Sequence, residues 1–359
     1  MVDDQLDLFA AGRHSLVDLF AGPGGLDVAA RWLGLPVHGI EWDRNACATR
    51  GAAGLDTTMD DVRNHDPQKF PKATMLAGGP PCQTYTVAGS GAGRRALDQV
   101  LEFVKRMASG DGRVAEDLNC LDDERTGLVL EPLRWALSAE EAGTPYEAIV
   151  LEQVPAVLPV WLAMGEALEG FGYRTVCGIL HAEEFGVAQT RRRAVLIAVR
   201  GRQPSLPSPT HRRYQKGVAR NQGNPALLPW RAMGDVLERP VPFEVISNYG
   251  TGGDPKARGR RTSAEPAATV TGKISRNRLV GAGKEELPRL SMSEAGRLQS
   301  FPADYPWSGR DVAQQIGNAI PPRLAAHVLA SALGQQVDPV ALDLAEASTW
   351  EKSKLRPIR

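Results

Sequence analysis

Cys82 has the setting that points most directly to chemistry. It follows the run Leu76-Ala77-Gly78-Gly79-Pro80-Pro81, in which two glycines admit a close backbone approach and two prolines fix the chain just before the sulfur, and Gln83 comes next. A thiolate presented this way is a candidate nucleophile. Cys47, Cys120 and Cys177 lack such a setting and read as small buried hydrophobes. No two of the four cysteines form a C-x-x-C pair, so neither a zinc site nor a disulfide framework is expected.

A second group of residues describes a nucleoside pocket. Asp18-Leu19-Phe20-Ala21-Gly22-Pro23-Gly24-Gly25 places three glycines where an apolar strand turns into a helix, which lets backbone approach a ligand. Glu41 ends the next strand about 20 residues on, where an acid can accept hydrogen bonds from both hydroxyls of a ribose. Trp42 offers a flat face for adenine, and Asp61 with Val62 can meet its amine and a ring nitrogen. A dinucleotide dehydrogenase would carry the same glycines and acid, so the pocket alone leaves the chemistry open.

The elements needed to hold these residues can be read from periodicity. Ser15 to Phe20, Val37 to Glu41, Thr74 to Ala77, Ala148 to Glu152, Arg174 to Leu180 and Ala194 to Val199 read as strands. Helical stretches alternate with them: Leu26 to Leu33, the segment from Asp43, Gly127 to Ala142, and Trp161 to Leu168. The alternation predicts a doubly wound α/β sheet. From Gln203, seven prolines up to Pro242 interrupt any long helix, and a small irregular domain is expected. Ser293 to Ser300 and Pro322 to Leu333 regain helical spacing, and residues after Gln336 read as a surface helix and tail. With 359 residues, 42% of them hydrophobic, two units are expected. No apolar run approaches the roughly 20 residues that span a bilayer, and the acidic start Met1-Val2-Asp3-Asp4 lacks a signal's positive region. A cytoplasmic protein with no membrane partner is expected.

The formal net charge of zero conceals an uneven distribution. No acidic residue lies between Glu184 and Asp235, whereas ten lysines and arginines do, from Arg191 to Arg231. A second basic cluster includes Arg258, Arg260, Arg261 and Lys273. The second half of the chain can therefore contact phosphates, although a basic run is also an ordinary solvated surface.

The blocks DLFAGPGG, EWD, DDV, GGPPCQ, EQV, QTRRR, RLQSFP and QIGNAIPP, in that order from about residue 15 to residue 330, resemble the DNA cytosine-5 methyltransferase family of bacterial or phage type. The resemblance implies a Rossmann-like S-adenosylmethionine-dependent methyltransferase domain with a smaller target-recognition domain. It implies a cofactor site lined by Phe20, Gly22, Gly24, Glu41, Trp42, Asp61, Val62, Pro80 and Asn318, and catalytic roles for Cys82, Glu152, Arg191 and Arg193. Its partner would be double-stranded DNA in the nucleoid, with a cognate restriction endonuclease as a further candidate. Residues 1–202 and 309–335 would form the catalytic domain, 203–308 the target-recognition domain and 336–359 the tail.

The chemistry implied needs these residue types. Carbon 5 of cytosine becomes nucleophilic once a thiolate adds at carbon 6. Glu152 can serve ring nitrogen 3, with its pKa raised by enclosure, and Arg193, with Arg191 as an additional candidate, can hold the carbonyl at carbon 2. No metal is required. The family resemblance also implies that the base is flipped out of the duplex. Gly89 to Arg95 is expected to form a loop closing on the DNA, with Gln83, Arg94 and Arg95 touching it, and Arg258, Arg260, Arg261 and Lys273 are expected to contact DNA from the second domain.

Two positions depart from the family's habit: Gln153 stands where asparagine is usual, and Ala188 where proline is common before Gln189. Gln5, Leu6, Leu8 and Phe9 resemble the short peptide by which bacterial replication and repair proteins bind the sliding clamp. Packing of those apolar residues onto the core is the other reading. An RNA cytosine methyltransferase would share the ring chemistry, and the basic insert favours DNA. A DNA-binding protein that holds cofactor without turnover has no need of Cys82, Glu152 and Arg193 together, and a dehydrogenase leaves Cys82, QTRRR and the basic insert unexplained.

Overall fold

The structure, a computed structural model, describes residues 14–81, 91–118, 125–240, 242–248 and 258–353. Seven strands, β1 (Leu16–Leu19), β2 (Val37–Glu41), β3 (Thr57–Met59), β4 (Met75–Gly78), β5 (Ala148–Gln153), β6 (Tyr173–His181) and β7 (Arg192–Arg200), form one sheet in the order β3-β2-β1-β4-β5-β7-β6. The strands run parallel except β7, which is antiparallel to both its neighbours. The doubly wound expectation matches this sheet apart from that strand, and β3 is an addition at one edge.

Alternation within each strand builds a core on both faces. Leu16, Met75, Ala77, Ala148, Val150, Val195 and Ile197 pack on one side with helices Gly25–Trp32 and Pro322–Ala332. Val17, Leu19, Leu76, Ile149, Leu151, Leu196 and Ala198 pack on the other with helices Glu131–Glu141 and Leu158–Glu169. Burial on both faces explains why these strands read as unbroken apolar runs. Near the β2–β3 edge, the fully buried Arg50 guanidinium forms a bidentate pair with Asp27 at 2.8 Å for each bond and reaches Thr57 Oγ1 at 2.8 Å. Gly39 is required beneath it, because a Cβ there would stand 2.0 Å from Arg50 Nη2.

The proline-rich region contains more regular structure than expected. Strands β8 (Phe243–Ile246), β9 (Arg260–Thr262), β10 (Arg278–Gly281) and β11 (Glu286–Leu287) form an antiparallel sheet in the order β11-β10-β8-β9. Strands of two to four residues carry too little alternation to be seen in the sequence. Their core joins Met233, Phe243, Val245, Val270, Leu279 and Leu298 to Ala188 and Ile316 of the larger domain. The boundaries differ from the expected ones. Leu206 packs on the large core and Arg202 donates to the Ser331 carbonyl at 3.0 Å, so the second core starts nearer Met233. Phe301 and Tyr305 are again in the large core, ahead of the expected return at 309.

The last described segment is no free surface helix. Helix Pro339–Ala347 presents Glu346 to Arg323 at 3.2 Å and to Arg231 at 2.5 Å, and Trp350 is 2% exposed, with its Nε1 donating to Ala53 O at 3.0 Å. From Gly91 to Ala108 the backbone is helical, so Arg94 and Arg95 begin a helix and do not belong to the expected loop. That helix carries Val100, Phe103 and Val104 into the core, and its apolar stripe sustains the glycine-containing first turn.

Candidate active site

Strand order reverses between β1 and β4, and the carboxyl ends of β1, β2, β4 and β5 surround a cavity of about 700 Å³ at that switch point. Its walls bring together Phe20, Gly22, Glu41, Trp42, Asp61, Val62, Glu152, Arg193 and Asn318. The local folding follows from the residues. Asp43 accepts from the amides of Asn45 and Ala46 at 3.0 and 2.8 Å and so starts helix Arg44–Ala52 directly after Trp42. Glu41 is thereby left at the corner, where its Oε2 accepts from the Gly22 amide and its Oε1 from the Asp43 amide, both at 2.7 Å. Burial raises the Glu41 carboxyl above its ordinary range, and those two amides oppose the shift. Phe20 adopts a left-handed φ of 60°, which costs a non-glycine residue on the order of 1 kcal/mol. Hydrogen bonds on either side hold it: Ala21 N donates to Ile40 O at 3.1 Å and Gly79 N to Leu19 O at 3.3 Å.

Trp42 is 60% exposed, an apolar ring open to solvent at the cavity wall. Asp61 is paired with Arg63 at 2.6 Å, and the Arg63 hydrogen bonds hold its carboxyl below the usual range. Across the cavity, Asn318 ends helix Val312–Asn318 and its Oδ1 accepts from Gln314 Nε2 at 2.7 Å.

Glu152 and Arg193 form the charged end of the cavity. They share one face of adjacent strands, with Arg193 Nε 2.5 Å from Glu152 Oε1. The two groups are not aligned as a hydrogen bond, so this buried carboxylate oxygen has charge compensation but no donor. Beside it, Gln153 donates from Nε2 to the Pro80 carbonyl at 2.6 Å, and its Oε1 accepts from Val154 N at 2.6 Å. The longer amide thus reaches the loop that carries Cys82.

Three expected residues have other places. Arg191 is 1% exposed and does not line the cavity, its guanidinium donating to the carbonyls of Val270 at 3.0 Å, Gly317 at 2.9 Å and Ala319 at 3.0 Å. With those donors occupied it joins the two domains, and burial lowers its pKa well below the ordinary range, with Arg193 adding to the effect. Gly24 lies behind the turn, where a Cβ would stand 2.8 Å from Tyr305 Oη, and Gly25 is the glycine at the wall. Pro80 is buried under Gln153, and Pro81 lines the cavity. Cys82 and Gln83, like Gln5, Leu6, Leu8 and Phe9, lie outside the described residues.

None of Arg258, Arg260, Arg261 and Lys273 lines the cavity. Arg260 pairs with Glu244 at 2.7 Å, Arg261 lies 4.6 Å over the Tyr214 ring and 3.5 Å from Glu265, and Lys273 is exposed. Asp18, for which no role was expected, is 3% exposed and lines the cavity at the end of β1. Burial first, then the nearby Asp27, pushes its carboxyl well above the usual range against the pull of Arg50. Its signal was a charge inside an otherwise apolar buried strand.

Comparison with known proteins agrees with this architecture. The chain matches the family of C-5 cytosine-specific DNA methylases over residues 14–104 and 121–334. It is 27% identical over 353 residues to the type II methyltransferase M1.HphI of Haemophilus parahaemolyticus, covering 88% of this chain and 86% of that protein. It is 24% identical over 351 residues to M.Sau96I of Staphylococcus aureus, covering 88% and 74%. Among solved structures, the S. pombe Dnmt2 methyltransferase superposes with a TM-score of 0.61 at 16% identity over 88% of this chain and 97% of that one. The Entamoeba histolytica methyltransferase EhMeth gives 0.56 at 11% identity over 90% and 98%. The switch-point cavity, the paired Glu152 and Arg193 and a family match spanning most of the sequence lead to one conclusion: the chain belongs to the C-5 cytosine-specific DNA methylase family and is a DNA cytosine-5 methyltransferase.

Proposed function

We propose that Cys82 adds to carbon 6 of a cytosine flipped out of double-stranded DNA, with Glu152 and Arg193 holding the base and S-adenosylmethionine bound along the opposite wall. The residues present fit that cofactor. Glu41 is oriented by two amides at a strand end to receive ribose hydroxyls, the Trp42 face is open for adenine, and Asp61 and Asn318 lie on the same cavity. Bound there, S-adenosylmethionine supplies a methyl group made electrophilic by its positive sulfur. The protein's own residues make carbon 5 able to accept it. The sulfur of Cys82 forms a bond to carbon 6, and ring electrons move toward nitrogen 3 and the carbonyl at carbon 2. Glu152 donates a proton or hydrogen bond at nitrogen 3, and Arg193 binds the carbonyl oxygen while compensating Glu152. Once carbon 5 is methylated, it loses its proton and Cys82 is expelled, which restores the ring.

One observation supports this assignment above the others: the Glu152–Arg193 pair lies in the same cavity as Glu41 and Trp42, at the wall where Pro81 leads into Cys82. The basic second domain supplies the target contacts, with Arg258, Arg260, Arg261 and Lys273 as candidates. The relatives' designation as type II methyltransferases supports a cognate restriction endonuclease as partner. Docking of residues 5–9 on a sliding clamp is a separate proposal, tested by titrating a peptide of residues 1–12 against purified clamp. For the mechanism, duplex containing 5-fluorocytosine is incubated with the protein and S-adenosylmethionine. A denaturation-resistant adduct is expected with the wild type and none with Cys82→Ala. Absence of the adduct on cognate DNA, while the folded protein binds both ligands, overturns the mechanism.

A further inference from the structure

Beyond the catalytic cavity, a second pocket of about 410 Å³ lies where the outer edge of the large sheet meets the second domain. Strand alternation separates the two sites. Arg193 shares the face of Glu152, and the adjacent Arg192, paired in register with His181 of β6, turns to the other face. Four cations line this pocket: Arg192, Arg213, Lys216 and Arg261. They come from the start of β7, from the segment after His211 and from β9, so three separate parts of the chain converge on it.

Nearby arginines such as Arg220, Arg231 and Arg260 each have a carboxylate partner. Arg192, Arg213 and Lys216 are exposed, and among the described residues none has a carboxylate within 4.0 Å. Arg261 is held in place over the Tyr214 ring, and its buried Nη1, 3.5 Å from Glu265 Oε1, has no hydrogen-bond partner. Holding like charges together costs free energy that a bound anion would recover. The positive field is already felt within the pocket: burial lowers the His181 pKa, and Arg213 and Arg192 lower it further. The pocket's carboxyl, Glu183, is buried with Oε2 lacking a hydrogen-bond partner, and burial pushes it up to about 7.

We propose that this pocket binds a backbone phosphate of the DNA, on the strand whose base enters the catalytic cavity. The assignment rests on the function proposed above. β6 and β5 both run parallel-wise to the same end of the sheet, so His181 and Glu152 share that end, and consecutive residues of β7 serve the two sites. A phosphate gripped by Arg192 on one side of the strand fixes the nucleotide whose ring Arg193 meets on the other. Four cations from both domains would also set the register of the duplex before chemistry.

The test compares wild type with Arg213→Ala/Lys216→Ala, two exposed side chains whose loss leaves no buried group unpaired. Methyl transfer is measured as a function of duplex concentration and of salt between roughly 50 and 200 mM. The KM for DNA is expected to rise about tenfold, and the slope of log affinity against log salt to become shallower by about two. The kcat at saturating DNA and the affinity for S-adenosylmethionine should stay within about twofold of wild type. Unchanged DNA affinity and salt slope would overturn the proposal while leaving methyl transfer by the wild type intact. Failure of the proposed function would instead be read in the wild type, as absence of the 5-fluorocytosine adduct on Cys82. Titration with inorganic phosphate alone separates the two sources of anion: binding lost in the variant, with DNA affinity unchanged, would mark a free-anion site and overturn the DNA assignment.

Discussion

The side-chain amide of Gln153 joins the end of β5 to the carbonyl of Pro80, two residues ahead of Cys82. Its other end is fixed by Val154 N, so the bridge is taut, with 2.6 Å at both bonds. Gln153→Ala removes a contact worth about 1 kcal/mol and releases the segment that leads into Cys82, the proposed nucleophile. A loop misplaced by about 1 Å can cost a hundredfold in rate, so kcat should fall between about tenfold and a hundredfold. Affinity for S-adenosylmethionine, measured calorimetrically, should change less than about threefold. Gln153→Asn, one methylene shorter, should fall between the two if Pro80 can follow it. Wild-type kcat in Gln153→Ala would show that the bridge does not position the loop.

Arg191 and Arg193 are two residues apart and should fail in different ways. Arg191→Ala leaves the carbonyls of Val270, Gly317 and Ala319 without their donor, at about 1–3 kcal/mol for each one that water cannot reach. The melting temperature should fall by several degrees, and DNA affinity should fall with the loss of domain register. Arg193→Lys, which keeps a positive charge beside Glu152, should melt within about 2 °C of wild type while kcat drops at least about tenfold. Thermal denaturation beside single-turnover kinetics separates the two. Equal melting temperatures for the variants would refute the structural role of Arg191.

This pair also illustrates how far the sequence could be read. Strands buried on both faces announced themselves as apolar runs, and the corner residues Glu41 and Trp42 followed because a strand's end is visible in its pattern, whereas Glu152 stood out only through the family resemblance. The alternation that separates Arg192 from its two neighbours was not legible, because the strand read from the sequence begins at Ala194 and the observed one at Arg192. What lay opposite Arg191 was not either, because Val270 and Gly317 are 79 and 126 residues away and only the tertiary fold brings their carbonyls to it. Gly24 and Gly25 raise the same difficulty. Both are glycines in a tight turn, and the neighbours each must avoid, Leu55 and Tyr305 for Gly24 and Ile320 for Gly25, are brought there only by the tertiary fold. The small sheet was missed for want of length, and the docked tail because Trp350 finds its partners at Arg31, Ala53 and Tyr305.

Tyr305 should position the cofactor turn from behind. Its buried hydroxyl donates to Pro23 O at 2.5 Å, and its ring packs 5.2 Å from that of Trp350, so the docked tail supports the glycine turn through one aromatic contact. Tyr305→Phe removes the hydrogen bond and keeps the ring. Near 1 kcal/mol, that loss should weaken S-adenosylmethionine binding about fivefold with kcat little changed. Trp350→Ala should have the same effect on binding and also destabilise the fold by about 3–5 kcal/mol. Binding unchanged in both variants would sever the link between tail and turn.

Acid should unfold this protein through two buried histidines. Burial, reinforced by Arg323, holds His211 down to about 4 and His327 down to about 3, so both are neutral in the fold. In the unfolded chain they titrate near 6.5. Above that value neither state binds the protons and the histidines leave stability unchanged. As pH falls below about 6.5 the unfolded chain takes up protons that the folded chain refuses until about 4 and about 3, so stability drops through that window. His327 packs against the Phe185 ring at 5.1 Å, and its Nε2 has no hydrogen-bond partner, so His327→Leu replaces it with an apolar group of similar volume. The variant's melting temperature should fall less steeply than wild type between about pH 6.5 and pH 4.5 and run parallel to it above about pH 7. Identical slopes in the acid range would mean that His327 is protonated in the native state and takes no part in acid unfolding.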